Sequence, residues 1–152
     1  MPTTNGSARL SFFVAGVPVP QGSMKGFVVN GRAVVTADNK KTRPWRQDVA
    51  AAAEETAVRF PGDAPVAVYV TFYMPRPKSH HATGKNLGRL VPSAPPFPTT
   101  KPDVDKLARA ILDALKTAGV YRDDAQVVDL VSHNQYDGGR PGVQVHGWAV
   151  PP

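Results

Sequence analysis

The chain of 152 residues contains no cysteine, so it has neither a disulfide framework nor a thiolate zinc site. A cysteine-free sequence is typical of proteins from reducing compartments, and we expect a cytoplasmic location. Long hydrophobic runs are also missing, because the longest apolar stretch, Ala64–Tyr73, has about half of the roughly 20 residues that a transmembrane helix needs. We therefore expect no membrane partner.

The motifs of common cofactor-dependent and serine-dependent enzymes are absent too. The sequence has no phosphate-cradling glycine motif and no Gly-x-Ser-x-Gly elbow, and we expect no organic cofactor. Its hydrophobic fraction of 41% and charged fraction of 20% are those of a globular protein rather than a disordered one. Length and composition together predict a single domain spanning residues 1–152.

Acidic residues are scarce, with 12 of them against 18 lysines and arginines, and they are unevenly distributed. Six fall between positions 103 and 129, where four basic residues leave a net charge of −2, so the rest of the chain carries +8. An acidic island in a basic chain is typical of a metal-dependent nuclease, because carboxylates bind the cation while basic surroundings attract phosphate. A solvated helix face followed by an Asp-rich turn gives the same counts, and charge counting alone favours that simpler explanation.

Hydrophobic periodicity predicts strands alternating with two main helices. The predicted strands are Leu10–Val17, Pro65–Met74, Ala125–Tyr136 and Val143–Val150, with a hairpin over Phe27–Val35 around Asn30-Gly31. The first predicted helix has Thr42 or Arg43 as its cap and runs to about Arg59, and the second spans Asp103–Thr117, with Gly119 ending it. This order predicts an α+β fold with a mixed or antiparallel sheet, and we expect Trp45 and Trp148 in its core.

The segment from Pro75 to Pro102 interrupts this pattern with 28 residues that include seven prolines and no acidic residue. A connection of this length without secondary structure is usually functional or disordered. Because its charges are all basic, we favour a flexible arm that clamps phosphates or splayed bases of a nucleic acid over a solvated insertion. The residues expected to make these contacts are Arg76, Lys78, Lys85, Arg89 and Lys101, together with Lys106 in the following helix.

Three carboxylates, Asp103, Asp105 and Asp124, form the candidate active site. Asp103 is at the N-cap position of the second helix and Asp105 in its first turn, so both can point into the space ahead of the helix. The turn after the helix is expected to bring Asp124 back across it. Mg²⁺ bound by such carboxylates activates water and neutralises phosphate oxygen during phosphodiester hydrolysis. Taken singly, these residues are equally well explained as a helix cap and a turn.

The run from Lys101 to Asp129 resembles the RusA family of Holliday-junction resolvases. The matching motifs are Asp103-Val-Asp105 at the helix start, Asp113-Ala-Leu115, Gly119 and Asp123-Asp-Ala-Gln-Val127, with looser matches over Gly16–Gly22 and Lys40–Gln47. The resemblance implies that Asp103, Asp105 and Asp124 are catalytic and bind the metal, and that Asp113 and Asp123 support them. It also implies a catalytic role for Arg109, which stands where the family usually has lysine. Lys106 replaces the family's usual asparagine.

The activity that this resemblance implies is resolution of four-way DNA junctions in recombination and repair. A small homodimer would nick two strands symmetrically, using Mg²⁺ or Mn²⁺ as the cofactor. Family members are often encoded by phages, which implies the host cytoplasm. Two alternatives remain: a flap or fork nuclease that shares the site, and a junction-binding protein with weak or no cleavage. The replacements at Lys106 and Arg109 keep the second alternative open.

Overall fold

The structure is a computed structural model that describes residues 8–22, 24–37 and 40–152. Within these ranges the chain forms six strands and two helices. The strands are β1 (Arg9–Ala15), β2 (Met24–Val29), β3 (Arg32–Ala37), β4 (Val66–Met74), β5 (Val127–Tyr136) and β6 (Gly142–Ala149). The helices are α1 (Thr42–Glu55), between β3 and β4, and α2 (Val104–Thr117), between β4 and β5.

Four of the strands form one mixed sheet in the order β1-β6-β4-β5. The β1–β6 and β6–β4 pairs are antiparallel, whereas β4 and β5 are parallel. Parallel neighbours need a long crossover connection, and α2 lies within that crossover. β2 and β3 form a separate two-stranded sheet. The predicted α+β fold, with a single domain, two main helices and a mixed sheet, is confirmed.

The core lies between the two helices and one face of the four-stranded sheet. Its contribution from β4 is an alternating set of buried side chains, Val66, Val68, Val70, Phe72 and Met74. The helices contribute Trp45, Val49 and Ala53 from α1, and Leu107, Ile111 and Leu115 from α2. The prediction for Trp45 is therefore confirmed. An ion pair between Arg46 and Asp113, with 3.6 Å between nitrogen and oxygen, connects the two helices at their surface.

The other face of this sheet is lined by aromatic side chains that remain partly exposed. Trp148 lies there with its ring centroid 4.7 Å from that of Tyr69. The Arg9 guanidinium lies over the Trp148 ring, 5.4 Å from the ring centroid. The expectation of a core position for Trp148 is wrong. Its register partner is Ala67, and side chains alternate between the two faces, so Trp148 points away from the face that the helices cover.

Most of the predicted element ends are close to the observed ones. Asn30 and Gly31 both have positive φ, 50° and 76°, as a type I′ hairpin turn requires, and Gly119 has φ 78° after the end of α2. α1, however, stops at Glu55 instead of Arg59, and Ala57, with φ 57°, departs from helical geometry. Thr42 is the first helical residue of α1, and Lys41 is the N-cap residue. The Thr42 hydroxyl does not cap the helix but donates to the carbonyl of Pro20 at 2.8 Å.

The basic connection Pro75–Pro102 has more local structure than its sequence predicts. It contains two short 3₁₀ turns, Lys78–His80 and Gly84–Asn86. Backbone hydrogen bonds, such as that from the Ala82 N–H to the Arg89 carbonyl, connect neighbouring segments of it. The Arg76 guanidinium donates to the carbonyl of Pro95 at 2.8 Å and lies 4.2 Å from the centre of the Tyr136 ring. The connection is thereby attached to the end of β5.

Among the described residues, neither helix has the length and hydrophobicity to cross a membrane.

Replacement of Gly119 by alanine should destabilise the fold, because a side chain at φ 78° costs about 1–2 kcal/mol. The added methyl group also displaces the Arg59 guanidinium, which donates to the Gly119 carbonyl at 3.1 Å. Urea unfolding measures the effect. The control is Gly138→Ala, where no atom lies within 4 Å of the new methyl group, and it should change stability by less than about 0.5 kcal/mol. Equal stabilities for the two variants would contradict the prediction.

Candidate active site

A cavity of about 770 Å³ lies where the start of α2 meets the C-terminal half of β5. Asp103 and Asp105 line it from the helix, and Ser132, His133 and Asn134 line it from the strand. The remaining wall is the end of the basic connection, residues 97–102, including Lys101. The structure therefore brings together two of the three predicted carboxylates and one of the predicted DNA-binding lysines.

The Asp103 carboxylate is available for a ligand. Asp103 is the N-cap residue of α2, with extended backbone angles (φ −70°, ψ 138°), yet its side chain makes no capping hydrogen bond. Only its backbone carbonyl serves the helix, accepting from the Leu107 N–H at 3.1 Å. Asp105 is exposed in the first turn. Both carboxylates therefore lie at the positive end of the helix dipole, and the explanation of Asp103 as a simple cap loses its main support.

Two further oxygen atoms of this cavity were not identified from the sequence. Ser132 Oγ and Asn134 Oδ1 are buried without a hydrogen-bond partner, and they are two of only four such side-chain atoms among the described residues. An unpaired buried polar group costs about 1–3 kcal/mol, so two at one place need an explanation. A sequence signal existed: four consecutive polar residues, Ser132–Gln135, interrupt a β-rich run, so neither face of the strand is apolar there.

The donor chemistry of the cavity fits a hard divalent cation. Its side-chain oxygens come from two carboxylates, an amide and the three hydroxyls of Thr99, Thr100 and Ser132, and oxygen ligands of this kind suit Mg²⁺ and Mn²⁺. Asp103 and Asp105 are the residues that would bind the ion. If only His, Cys, Asp and Glu are counted, the described ranges contain no group of three that could hold a metal.

Asp124 lies elsewhere in the same chain. It begins a 3₁₀ turn, Asp124–Gln126, that precedes β5, whereas the cavity is reached only at Ser132. At about 3.3 Å per residue, the strand from Val127 to Ser132 spans roughly 16 Å. The expectation that the turn returns Asp124 to the start of α2 is therefore not met within one chain. The reason is the direction of β5, which leads away from Asp124 towards the cavity.

The turn that presents Asp124 is held by its neighbours. The Asp123 carboxylate accepts the Ala125 N–H at 3.1 Å, and this bond is the main reason that the pKa of Asp123 is lowered, with Asp124 and Lys116 adding to the effect. The Gln126 amide nitrogen donates to the carbonyls of Pro61 and Ala64 at 2.9 and 3.0 Å. Its oxygen accepts the N–H groups of Arg122 and Asp123 at 2.9 and 3.1 Å. Asp123 and Gln126 therefore shape the turn, and Asp124 remains exposed.

Asp113 is part of the helix packing rather than of the cavity. It lies eight residues after Asp105, roughly 12 Å along α2, and pairs with Arg46. Nearby Tyr121 is buried, and its hydroxyl donates to the Leu112 carbonyl at 2.7 Å. Burial raises the pKa of this hydroxyl, and the charges of Asp124, Asp113 and Asp123 raise it further, so Tyr121 stays a donor. Asp113 thus supports the position of α2.

The predicted basic residues occupy three different environments. Lys101 and Lys106 line a second cavity of about 470 Å³ that shares Asp103 with the first. Arg109 is exposed one helical turn after Asp105. Lys78, Lys85 and Arg89 are exposed on the basic connection, whereas the Arg76 guanidinium makes contacts within the protein. That any of them contacts DNA stays a prediction.

Comparison with known proteins extends the similarity beyond the motifs. The sequence model of the family described as "Endodeoxyribonuclease RusA" matches residues 15–146. A curated relative, the "Uncharacterized protein YqaN" of Bacillus subtilis (strain 168), is 37% identical over 121 residues, which cover 80% of this chain and 83% of the relative. The family match includes the cavity residues and the Asp123–Gln126 turn, so the resemblance noted in the sequence is confirmed over most of the chain.

Replacement of Gln126 by glutamate should loosen the Asp123–Gln126 turn. The substitution keeps the shape but removes both amide N–H donors and places a carboxylate against the carbonyls of Pro61 and Ala64. We expect a loss of about 1–3 kcal/mol in the free energy of unfolding, measured in urea at neutral pH. The control is Gln47→Glu on the exposed surface of α1, which should have little effect. Similar stabilities of the two variants would contradict this role for Gln126.

Proposed function

Because the chain belongs to the RusA family of endodeoxyribonucleases, we propose that it is a metal-dependent, structure-selective endonuclease that resolves four-way DNA junctions by paired symmetric nicks. The observation that best supports this function is the oxygen-lined cavity with Asp103 and Asp105 at the start of α2. We place the activity in DNA recombination and repair in the cytoplasm, that of the host if a phage encodes the protein.

In this proposal Asp103 and Asp105 bind Mg²⁺, with Mn²⁺ as a substitute. Such an ion lowers the pKa of bound water and neutralises a phosphate oxygen. The chain itself attracts the phosphate through the N–H groups at the start of α2 and through the charges of Lys101 and Lys106. Arg109 would present two parallel N–H donors to a phosphate and thereby stabilise its negative charge.

The basic connection supplies the sequence-independent part of DNA binding in this proposal. Its exposed charges, Lys78, Lys85 and Arg89, neutralise backbone phosphates and release counterions. The contacts of Arg76 with Pro95 and Tyr136 attach this surface to the strand that ends beside the cavity. Arg76 therefore acts by positioning the connection, and the exposed residues make the phosphate contacts.

We further propose a homodimer in which Asp124 serves the cavity of a second copy. The separation of roughly 16 Å along β5 is too long for Asp124 to bind the same ion as Asp103 of its own chain. A two-fold dimer offers a second copy of the turn, and its two cavities match the two strands that a symmetric junction presents. The proposed role of Asp124 at the cavity therefore depends on the formation of the dimer.

Junction cleavage tests the proposed activity. Purified protein should nick a labelled synthetic four-way junction at paired sites in Mg²⁺ or Mn²⁺. Asp103→Asn should lower the rate by more than about 100-fold, since it removes a metal ligand. Asp48→Asn, the same change on the exposed surface of α1, is the control and should leave the rate unchanged.

The alternatives give different results in this assay. A gel shift of the junction without nicks in either metal would contradict the nuclease and support the junction-binding protein. Faster cleavage of flaps or forks than of four-way junctions would support the third candidate. Cleavage of the junction by Asp103→Asn at the wild-type rate would contradict the assignment of the site.

Mixing two inactive variants tests the contribution of Asp124 from a second copy. Asp103→Asn and Asp124→Asn chains, refolded together, form heterodimers in which one cavity has an intact Asp103 and receives an intact Asp124. Nicking of one strand per junction should therefore return, whereas each variant alone stays inactive. Size-exclusion chromatography with light scattering measures the dimer directly. No recovery in a proven heterodimer would show that Asp124 acts within its own chain or not at all.

A further inference from the structure

We propose that Asn134 and Ser132 complete the oxygen donor set with which Asp103 and Asp105 bind the divalent cation. The inference rests on the proposed function, because it concerns the same cavity and the same ion. It adds two neutral residues from β5 to a site that the sequence assigns to carboxylates alone.

The position of both residues in the sheet is the first argument. In the parallel β4–β5 pair, Ser132 is the partner of Val70 and Asn134 the partner of Phe72. Partners in register point to the same face, and the Val70 and Phe72 side chains are buried in the core. β5 is the edge strand of the sheet, and Ser132 and Asn134 are only partly buried there, so this face of β5 offers two polar side chains to the cavity that contains Asp103 and Asp105.

The unpaired oxygens are the second argument. Ser132 Oγ and Asn134 Oδ1 are buried, and neither finds a hydrogen-bond partner in the part of the chain that the structure describes. Both residues line the cavity that contains Asp103 and Asp105. A cation bound by the two carboxylates would account for both unpaired oxygens at once, since amide and hydroxyl oxygens are ordinary ligands of hard cations.

Charge balance is the third argument. Asp103 and Asp105 together match the charge of a divalent cation, so further ligands that are neutral fill its coordination without excess negative charge. An amide and a hydroxyl oxygen have this property, and they leave positions open for water and for the anionic phosphate of the substrate. The donor set also contains no sulfur, which favours Mg²⁺ or Mn²⁺ over softer metals.

Binding of Mn²⁺, measured by electron paramagnetic resonance of the free ion, tests the proposal without reference to cleavage. Asn134→Leu should weaken Mn²⁺ binding at least about 10-fold, and Ser132→Ala should weaken it several-fold. Asn134→Asp keeps an oxygen in place and should retain or tighten binding. The control is Gln135→Leu, because Gln135 is the partner of Tyr73 on the opposite face of the sheet.

Thermal unfolding without metal separates a ligand from a structural residue. If Asn134 Oδ1 is unpaired in the metal-free protein, Asn134→Leu should unfold at the same or a higher temperature than the wild type, while losing Mn²⁺ affinity. A structural asparagine would show the reverse, a lower unfolding temperature with unchanged affinity. If Asn134→Leu does not fold, Asn134→Ala provides the same pair of measurements.

The outcomes distinguish this inference from the proposed function. Mn²⁺ binding by the wild type that is lost in Asp103→Asn but unchanged, within twofold, in Asn134→Leu and Ser132→Ala overturns the inference alone. Absence of Mn²⁺ binding by the wild type overturns the inference and the metal dependence together. Loss of affinity in both β5 variants, with Gln135→Leu unaffected, supports the inference.

Discussion

The parallel pairing of β4 and β5 determines where the functional residues of this protein lie. Two parallel neighbours must start at the same end of the sheet, so the chain has to cross the sheet between them, and α2 lies in that crossover. β5 then leads back along α2 and ends near its start. This is why Ser132 and Asn134 share a cavity with Asp103 and Asp105, although some 30 residues of sequence separate them.

The same constraint separates Asp124 from the other two carboxylates. Asp124 precedes β5 and therefore remains at the end of the sheet where that strand begins. The surrounding residues hold it there: Gln126 connects the turn to the carbonyls of Pro61 and Ala64, and Asp123 closes the turn on the Ala125 N–H. α2 also packs against α1, with the Arg46–Asp113 ion pair at the surface of that contact. The proposed symmetric dimer would bring all three carboxylates to one site.

Features that depend on neighbouring residues were predicted well. The apolar periodicity of α2, the Asn30-Gly31 turn and the glycine at position 119 are local, because helix geometry and positive φ follow from a few adjacent residues. The predictions for Trp148 and Thr42 were wrong, and the local structure of the basic connection was not predicted from the sequence. Trp148 depends on which sheet face the helices cover, Thr42 on a carbonyl 22 residues away, and the connection on contacts of Arg76 with Pro95 and Tyr136.

The family, the α+β fold and the candidate site residues Asp103, Asp105 and Asp124 could be predicted from the amino-acid sequence, because they follow from periodicity and from a motif of adjacent positions. Which of these residues lie close together depends on the three-dimensional fold. Asp103 and Asp105 line one cavity with Ser132 and Asn134, whereas Asp124 lies before the start of β5, since strand direction and sheet register connect residues that are far apart in sequence. The burial of two cavity oxygens without a partner among the described residues likewise depends on every atom packed around them.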